Sequence, residues 1–346
     1  MTAPTRRGIA CMGNWILDIV HDIGHWPEKS DLVGISRQTS GLGGGAANVS
    51  ADLAALDGGY PVYPIGLVGD DSFGDEVHER VARTGLQARH LRHLRRVRAG
   101  VTAHTHVMNV PGDSRTFFYH AGVNNDLAQD SVDLAALADA GCKLFYLGYL
   151  NLLPALDKIG ADGRSAAYHL LRGAQAAGMM TCVDLVSSAA PGYRAVVQAT
   201  LPAIDVLFLN EVEAARATGQ PVAGPADRHG LEAAARALLA QGVGHAVIVH
   251  TPALALWVAR EGTTVHEVAP VPPEAILSPV GAGDAFAAAV LHALHEERPA
   301  PEALALGCKV AALSLGGATA TDAIPSLAEL GDTARSPCLR GQAHIG

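Results

Sequence analysis

The most informative turn in this sequence reads Gly281-Ala282-Gly283-Asp284-Ala285-Phe286. It lies between a short apolar segment, 276–280, and a helix-forming run that begins at Ala287. Glycines at such a junction let several backbone N–H groups point to one place, where the helix dipole also favours an anion such as a phosphate. A carboxylate beside a phosphate is useful there if it takes a proton from an attacking hydroxyl. The turn therefore predicts phosphoryl transfer to an alcohol.

Composition indicates a globular α/β enzyme. The 346 residues are 49% hydrophobic, and strand-like segments alternate with helical ones, so the chain can bury a large core as one or two domains. The chain has 25 Lys and Arg against 34 Asp and Glu, which gives a net charge of −9. This excludes an overall positive field that would attract nucleic acid or anionic lipid. We predict neither a nucleic-acid partner nor a membrane partner.

Cysteine usage and the first residues predict where the protein works. The five cysteines are odd in number and widely spaced, which is typical of buried thiols in a reducing compartment. The first thirty residues lack the apolar core of a signal peptide, and no stretch is long and apolar enough to span a bilayer. These features predict a cytoplasmic protein. The cysteines are Cys11, Cys142, Cys182, Cys308 and Cys338.

Most of the chain alternates strands and helices in the manner of a parallel sheet covered on both faces. After Lys143 the predicted buried strands are 144–148, 179–185, 206–209 and 246–249. Two β-rich segments interrupt this pattern, at about 27–41 and 99–121, and the second contains the turn Pro111-Gly112-Asp113-Ser114. We expect the two segments to form a small sheet that stands apart from the main one.

Polar side chains follow several predicted strands, and ligands gather at strand ends in an open parallel sheet. The candidates are Asn14 and Asp18 after the first strand, Asn48 after the glycine run 41–45, and Asn210 and Glu213 after strand 206–209.

These motifs, in their order along the chain, resemble those of the ribokinase, or PfkB, carbohydrate kinases. The resemblance covers nearly the whole length and implies a ribokinase-like α/β fold, with a mostly parallel central sheet, helices on both faces and a small β-sheet lid. It implies a kinase domain at 7–330 with lid segments inserted at about 27–41 and 99–121, followed by a C-terminal tail at 331–346. The matching motifs are 13–18, Gly43-Gly44-Gly45-Ala46-Ala47-Asn48, 66–74, Asn210-Glu211-Val212-Glu213 and 281–286.

The resemblance also implies the activity, which is transfer of the γ-phosphate of ATP to a primary hydroxyl of a sugar or sugar derivative, with Mg²⁺ as cofactor. Asp284 matches the catalytic base, and we expect its place at a helix start to keep its pKa low. Closure of the lid would exclude water, and the lid would also join two copies as a homodimer. The anion hole is matched by Gly281, Ala282 and Gly283, and the acceptor site by Asn14, Asp18, Gly44, Gly45 and Asn48.

The nucleotide side of the resemblance rests on the Asn-x-x-Glu motif. Asn210 and Glu213 match residues that organise magnesium and phosphates, and Glu213 is the candidate metal ligand, either directly or through water. His250 and Cys308 complete the predicted nucleotide-binding residues.

The sequence departs from the family pattern in two places. Many relatives have Asp-Thr-Thr before the catalytic turn and use it to bind an activating monovalent cation, whereas this chain has Ser278-Pro279-Val280, which puts potassium activation in doubt. Near the nucleotide phosphates, Pro252 and Ala255 replace two glycines, so the nucleotide loop must differ. His250 either offers a ring nitrogen to a phosphate or simply packs at the strand end.

Two other functions stay open. The aromatic run Phe117-Phe118-Tyr119, with Trp15 nearby in sequence, would suit a nucleoside whose base stacks on a ring, although strand packing also explains the run. A catalytically silent relative that senses a sugar or nucleotide is the second alternative. The sequence leaves open the acceptor, the preferred phosphate donor, the oligomeric state and the pathway.

Overall fold

The structure is a computed structural model that describes residues 7–110 and 115–333. In these residues the strands are, in chain order, β1 Gly8–Gly13, β2 Ile16–Ile23, β3 Ile35–Gly43, β4 Val62–Gly69, β5 Leu94–Val97, β6 His104–Asn109, β7 Thr116–His120, β8 Cys142–Leu150, β9 Met180–Leu185, β10 Val206–Leu209, β11 Ala246–His250, β12 Leu254–Ala259 and β13 Gly262–Glu267.

The α-helices of the same residues mostly alternate with these strands. They are α1 Gly45–Leu56, α2 Ser72–Ala82, α3 Leu134–Asp139, α4 Pro154–Asp157, α5 Ala166–Ala176, α6 Tyr193–Thr200, α7 Glu211–Thr218, α8 Arg228–Ala240, α9 Ala282–His295, α10 Ala300–Ser314 and α11 Leu327–Thr333.

The larger sheet has nine strands in the order β13-β12-β11-β10-β9-β8-β1-β4-β5. From β11 to β5 all neighbours are parallel, whereas β12 and β13 add an antiparallel edge that the sequence pattern did not reveal. The predicted fold, a mostly parallel sheet with helices and a small second sheet, is confirmed.

Apolar residues cover both faces of this sheet. Along β1, Ile9 and Cys11 belong to one core, which also contains residues of α1, α9 and α10, while Ala10 and Met12 belong to the other, which contains residues of α5 to α8. Every residue of β1 and β4 is buried. This explains why the strands read as continuous apolar runs, since a parallel strand between two helical layers has no solvent face.

The smaller sheet, which we call the lid, has four strands in the order β3-β2-β6-β7. The predicted lid segments cover most of β3 and all of β6 and β7, but they omit β2, which contains Asp18 and lies after the predicted first strand. Strand β2 starts only two residues after β1 and pairs with β3 and β6. Asp18 is therefore a residue of the lid sheet. The predicted turn at 111–114 lies outside the described residues.

Two further predictions concern the cysteines and membrane-spanning helices. Cys11, Cys142, Cys182 and Cys308 are buried, as predicted, whereas Cys338 and most of the predicted tail lie outside the described residues. In the described ranges no helix has the length and apolar character needed to cross a membrane.

Candidate active site

The predicted catalytic turn is built by a glycine in the left-handed region. Gly281 has φ 84° and precedes α9, and a Cβ there would overlap Ala320. The first N–H groups of a helix have no partners within it, so the start of α9 offers donors to an anion. Asp284 lies in this first turn and is buried.

Only one of the two Asp284 carboxyl oxygens accepts hydrogen bonds from described residues. Its Oδ2 accepts a hydrogen bond from Asn48 Nδ2 at 2.8 Å and another from the Tyr149 hydroxyl at 2.9 Å. Its Oδ1 is buried and has no partner in the described part of the chain. The expected low pKa is wrong, because burial raises the pKa of Asp284 to about 6 in spite of the two donors and the helix start.

The predicted acceptor-binding residues meet at the junction of the lid and the main sheet. Gly44 has φ 96°, and a Cβ on it would overlap the backbone oxygen of Asn14, while a Cβ on Gly43 would overlap the Asp18 carboxyl group. Glycines are therefore required where α1 begins, since they let Asn14 and Asp18 lie against it. Burial raises the pKa of Asp18 to about 6.

Several buried polar atoms in this region lack hydrogen-bond partners among the described residues. Asn14 Oδ1 and Asn48 Oδ1 are two of them, although the amide nitrogens of both residues donate. Most buried polar atoms in folded proteins are satisfied, so a group of orphans indicates a polar ligand. The others near the same strand ends are Asp284 Oδ1 and the side-chain amide of Asn151.

Sequence reasoning missed Tyr149 and misplaced Trp15. Tyr149 lies near the carboxyl end of β8, in the left-handed region with φ 64°, and its position just past an apolar strand run was the signal that could have found it. Trp15 is fully buried and donates through Nε1 to the Ile65 carbonyl at 3.0 Å. It belongs to the core and does not face an acceptor.

A cavity of about 580 Å³ opens at the start of α9. Its lining is mostly apolar and brings together the predicted nucleotide residues Asn210, His250 and Cys308 with Ala282 and Gly283 of the predicted anion hole. A large apolar cavity with a few polar groups is typical of a small-molecule site.

His250 contributes both packing and a polar atom to this cavity. Its ring lies 5.1 Å from the Phe286 ring, and its Cε1 would be 3.0 Å from a Cβ on Gly283. Burial lowers the pKa of His250 to about 4, so the ring is neutral near pH 7, and Nε2 has no partner among the described residues. Pro252 and Ala255 line the cavity too, and Ala255 is also paired with His250 in the β11–β12 hairpin.

Asn210 and Glu213 form a buried capping box at the start of α7. Asn210 Oδ1 accepts from the backbone of Glu213 at 2.9 Å, and Glu213 Oε2 accepts from the backbone of Asn210 at 2.8 Å. Glu213 Oε1 also accepts from Ser187 Oγ and Asn210 Nδ2. Burial raises the pKa of Glu213. The motif thus has a structural role whatever else it does.

The described residues do not form a preformed metal cage. Within the described ranges, no three His, Cys, Asp or Glu side chains lie close enough together to hold a metal ion. Asp184, which sequence reasoning missed, lies at the end of β9; its pKa is raised by burial and by the charges of Glu213 and Asp284. Magnesium in proteins often keeps several waters and is bound through one or two carboxylates plus substrate phosphates.

The unusual segment before the catalytic turn contacts the lid. Ser278 is buried, and its Oγ accepts from Arg115 Nη1 at 3.0 Å and from the backbone of Val280 at 3.2 Å. A guanidinium group of the lid thus lies at the approach to the predicted anion hole.

Comparisons with known proteins agree with this architecture. Residues 7–327 match the pfkB family of carbohydrate kinases. The sequence is 24% identical to the deoxyribokinase of Salmonella typhi over 327 residues, which cover 94% of this chain and 97% of the relative. The structure is similar to that of Arabidopsis thaliana ribokinase complexed with ribose and ATP (TM-score 0.77, 20% identity, 96% and 99% coverage). It is also similar to a nucleoside kinase of Methanocaldococcus jannaschii (TM-score 0.69, 14% identity, 95% and 98% coverage).

Proposed function

Because the chain belongs to the pfkB family of carbohydrate kinases, we propose that it transfers the γ-phosphate of ATP to a primary hydroxyl of a sugar or sugar derivative. The observation that carries this proposal is the position of Asp284, at the start of α9, between the orphan polar atoms of the acceptor side and the cavity of the nucleotide side.

The residues suggest how the transfer proceeds. The acceptor lies against Asn14, Asp18 and Asn48, whose oxygens pair with its hydroxyl groups. Asp284 takes the proton of the attacking hydroxyl, and the N–H groups of 281–283 stabilise charge that develops on the transferred phosphoryl group. In a loose transition state the proton moves late, so orientation of the hydroxyl matters more than the basicity of the carboxylate.

The cofactors follow from the nucleotide side. Magnesium, when bound, neutralises charge on the phosphates. Since both Glu213 oxygens already accept hydrogen bonds, we assign Glu213 to contact the ion through water. We expect no activation by potassium, because Ser278 offers no carboxylate and its hydroxyl is engaged by Arg115.

A nucleoside kinase is the second candidate, and Phe117 favours it. This side chain is half exposed and lines the same small pocket as Asp18 and Arg115, where a base could stack on the ring. Phe118 points the other way and stacks on Trp26 with ring centroids 6.3 Å apart.

The homodimer and the cytoplasmic location stay predictions. Exposed apolar side chains of the lid, Trp26, Ile35 and Phe118, support a second copy as the partner of the lid. Sedimentation of the protein at several concentrations tests this, and a monomer throughout would contradict it.

The activity is tested by measuring ATP consumption and product formation with a panel of sugars and nucleosides. The proposal predicts a phosphorylated sugar from the wild type and a loss of at least about a hundredfold in Asp284→Asn. Faster turnover of a nucleoside than of any sugar would make the second candidate correct. Binding of nucleotide with magnesium but no turnover of any acceptor would indicate the silent sensor.

A further inference from the structure

The two oxygens of the Asp284 carboxyl group have different surroundings. Oδ2 accepts from both Asn48 and Tyr149, whereas Oδ1 is buried with no partner in the described chain. We infer that Tyr149 is a positioning residue of the reaction, which holds Oδ2 so that Oδ1 faces the acceptor and receives its proton. This inference rests on the proposed function and adds to it a residue and an atom.

Tyr149 adopts a backbone conformation that favours this role. Its φ of 64° and that of Asn151, 76°, are both in the left-handed region, which non-glycine residues rarely occupy. Such outliers cluster at functional sites, where the surrounding structure holds them in place. Here the ring packs against Gly45, since a Cβ on that glycine would lie 2.8 Å from Tyr149 Cδ1. A side chain at position 45 would therefore collide with the Tyr149 ring.

The Tyr149 phenol is a stable donor. Burial and the charge of Asp284 raise the pKa of Tyr149 well above its usual range, so the hydroxyl keeps its proton when Asp284 is ionised. A hydrogen bond from a neutral donor stabilises the carboxylate and lowers its pKa. Tyr149 therefore acts on the base in two ways, through its orientation and through its ionisation.

The proton and electrons balance without a change in Tyr149. The acceptor O–H bond breaks and its proton goes to Oδ1 of Asp284, while the acceptor oxygen forms a bond to the γ-phosphorus. The bond from this phosphorus to the bridging oxygen breaks, and its electron pair leaves on ADP. Tyr149 and Asn48 stay bonded to Oδ2 throughout.

Other ionisable groups also face Asp284 and set the background for its titration. Asp18 of β2 and Glu213 of α7 raise its pKa through their charges. The remaining neighbours in electrostatic contact are Asp52 of α1, Tyr146 of β8 and Asp184 of β9, and His250 of β11 lies beside Gly283.

The test is Tyr149→Phe, which removes one hydroxyl. We expect kcat to fall about tenfold to a hundredfold, KM for the acceptor to change less than about threefold, and the acid limb of the kcat profile to move to higher pH by about one unit. Tyr60→Phe is the matched control, because it removes another buried tyrosine hydroxyl, 3.1 Å from His292 Nδ1, without touching the site. An acid limb identical to that of the wild type would overturn the inference.

Incorporation of 3-fluorotyrosine at position 149 guards against loss of folding. Fluorination makes the phenol a stronger donor and keeps its shape, so the acid limb should move to lower pH, opposite to the shift in Tyr149→Phe. Shifts in the same direction, or none, would overturn the inference. Asp284→Asn separates the two proposals. Full activity in that variant would refute Asp284 as the base. If Asp284→Asn is inactive and Tyr149→Phe is unaffected, only the role of Tyr149 is refuted.

Discussion

Arg115 of the lid donates a hydrogen bond to the buried hydroxyl of Ser278, at 3.0 Å, three residues before Gly281. The contact joins the small sheet to the segment that precedes the catalytic turn. We expect the contact to form only when the lid lies over the main sheet, and it brings a positive charge to the place where the phosphoryl group is expected.

Arg115→Met should weaken closure of the lid. We expect KM for the acceptor to rise about tenfold and ATP hydrolysis without acceptor to become a larger share of total ATP consumption, because water enters a poorly closed site. Arg37→Met is the control, since Arg37 is an exposed lid arginine that pairs with Asp22. Equal kinetics for the Arg115 variant and the control would show that the contact does not matter for closure.

Glu213→Gln should separate the cap from the metal. Glutamine is also found at this position of capping boxes, but its amide nitrogen cannot accept the hydrogen bonds now made to one Glu213 oxygen, so the free energy of unfolding should fall by about 1–3 kcal/mol. The magnesium concentration for half-maximal activity should rise by about tenfold or more, because an outer ligand of the ion loses its charge. Glu302→Gln, in the first turn of α10, is the matched control. An unchanged magnesium requirement would leave Glu213 with a structural role alone.

Asp52 should make stability fall as pH rises. Both of its carboxyl oxygens are buried without partners in the described residues, and burial and the charge of Asp284 raise its pKa well above the usual range. Asp52 therefore keeps its proton in the folded state but loses it in the unfolded chain above about pH 4. Between that pH and its folded-state pKa, each pH unit lowers the free energy of unfolding by about 1.4 kcal/mol.

Asp52→Asn should remove that contribution. The gain in Tm over the wild type should be larger at pH 8 than at pH 5, as measured by thermal unfolding. Asp57→Asn, at the exposed end of the same helix, is the control for the lost charge. A gain of the same size at both pH values would contradict a protonated Asp52.

The rate should depend on pH through Asp284. Only the ionised carboxylate accepts a proton, and its pKa is raised to about 6, so kcat/KM should increase as pH rises through about 6 and level off above about 7. The pKa of Asp18 is raised to a similar value, and its charge acts on Asp284. The acid limb of the kcat/KM profile therefore reports the titration of both carboxyl groups. Asp18→Asn should move it to lower pH. A rate that stays constant from pH 5 to 8 would contradict a base with this pKa.

The sequence predicted the large sheet because parallel strands buried between two layers of helices consist of continuous apolar runs. It missed strand β2 because only Asn14 and Trp15 separate it from β1, and a single sequence does not show that the chain turns into another sheet there. The antiparallel edge, β12 and β13, was missed because a short hairpin has no signal beyond its turn at Thr251 and Pro252.

The sequence pointed to candidate site residues, whereas their environment appears only in the structure. Asn48 was expected to bind the acceptor, and the structure shows that its amide nitrogen is engaged by Asp284, which leaves its oxygen for a ligand. The Asp284 pKa was misjudged because the depth of burial is a property of the folded chain. Tyr149 was missed because its direction depends on a left-handed φ that its residue type does not suggest.

The most direct test of the account is the rate of sugar phosphate formation by Asp284→Asn, with nucleotide and acceptor binding measured in parallel. The account predicts a loss of kcat of at least about a hundredfold with dissociation constants within about threefold of the wild type, because the variant keeps the shape of the side chain and loses the base. Formation of sugar phosphate at the wild-type rate would contradict it.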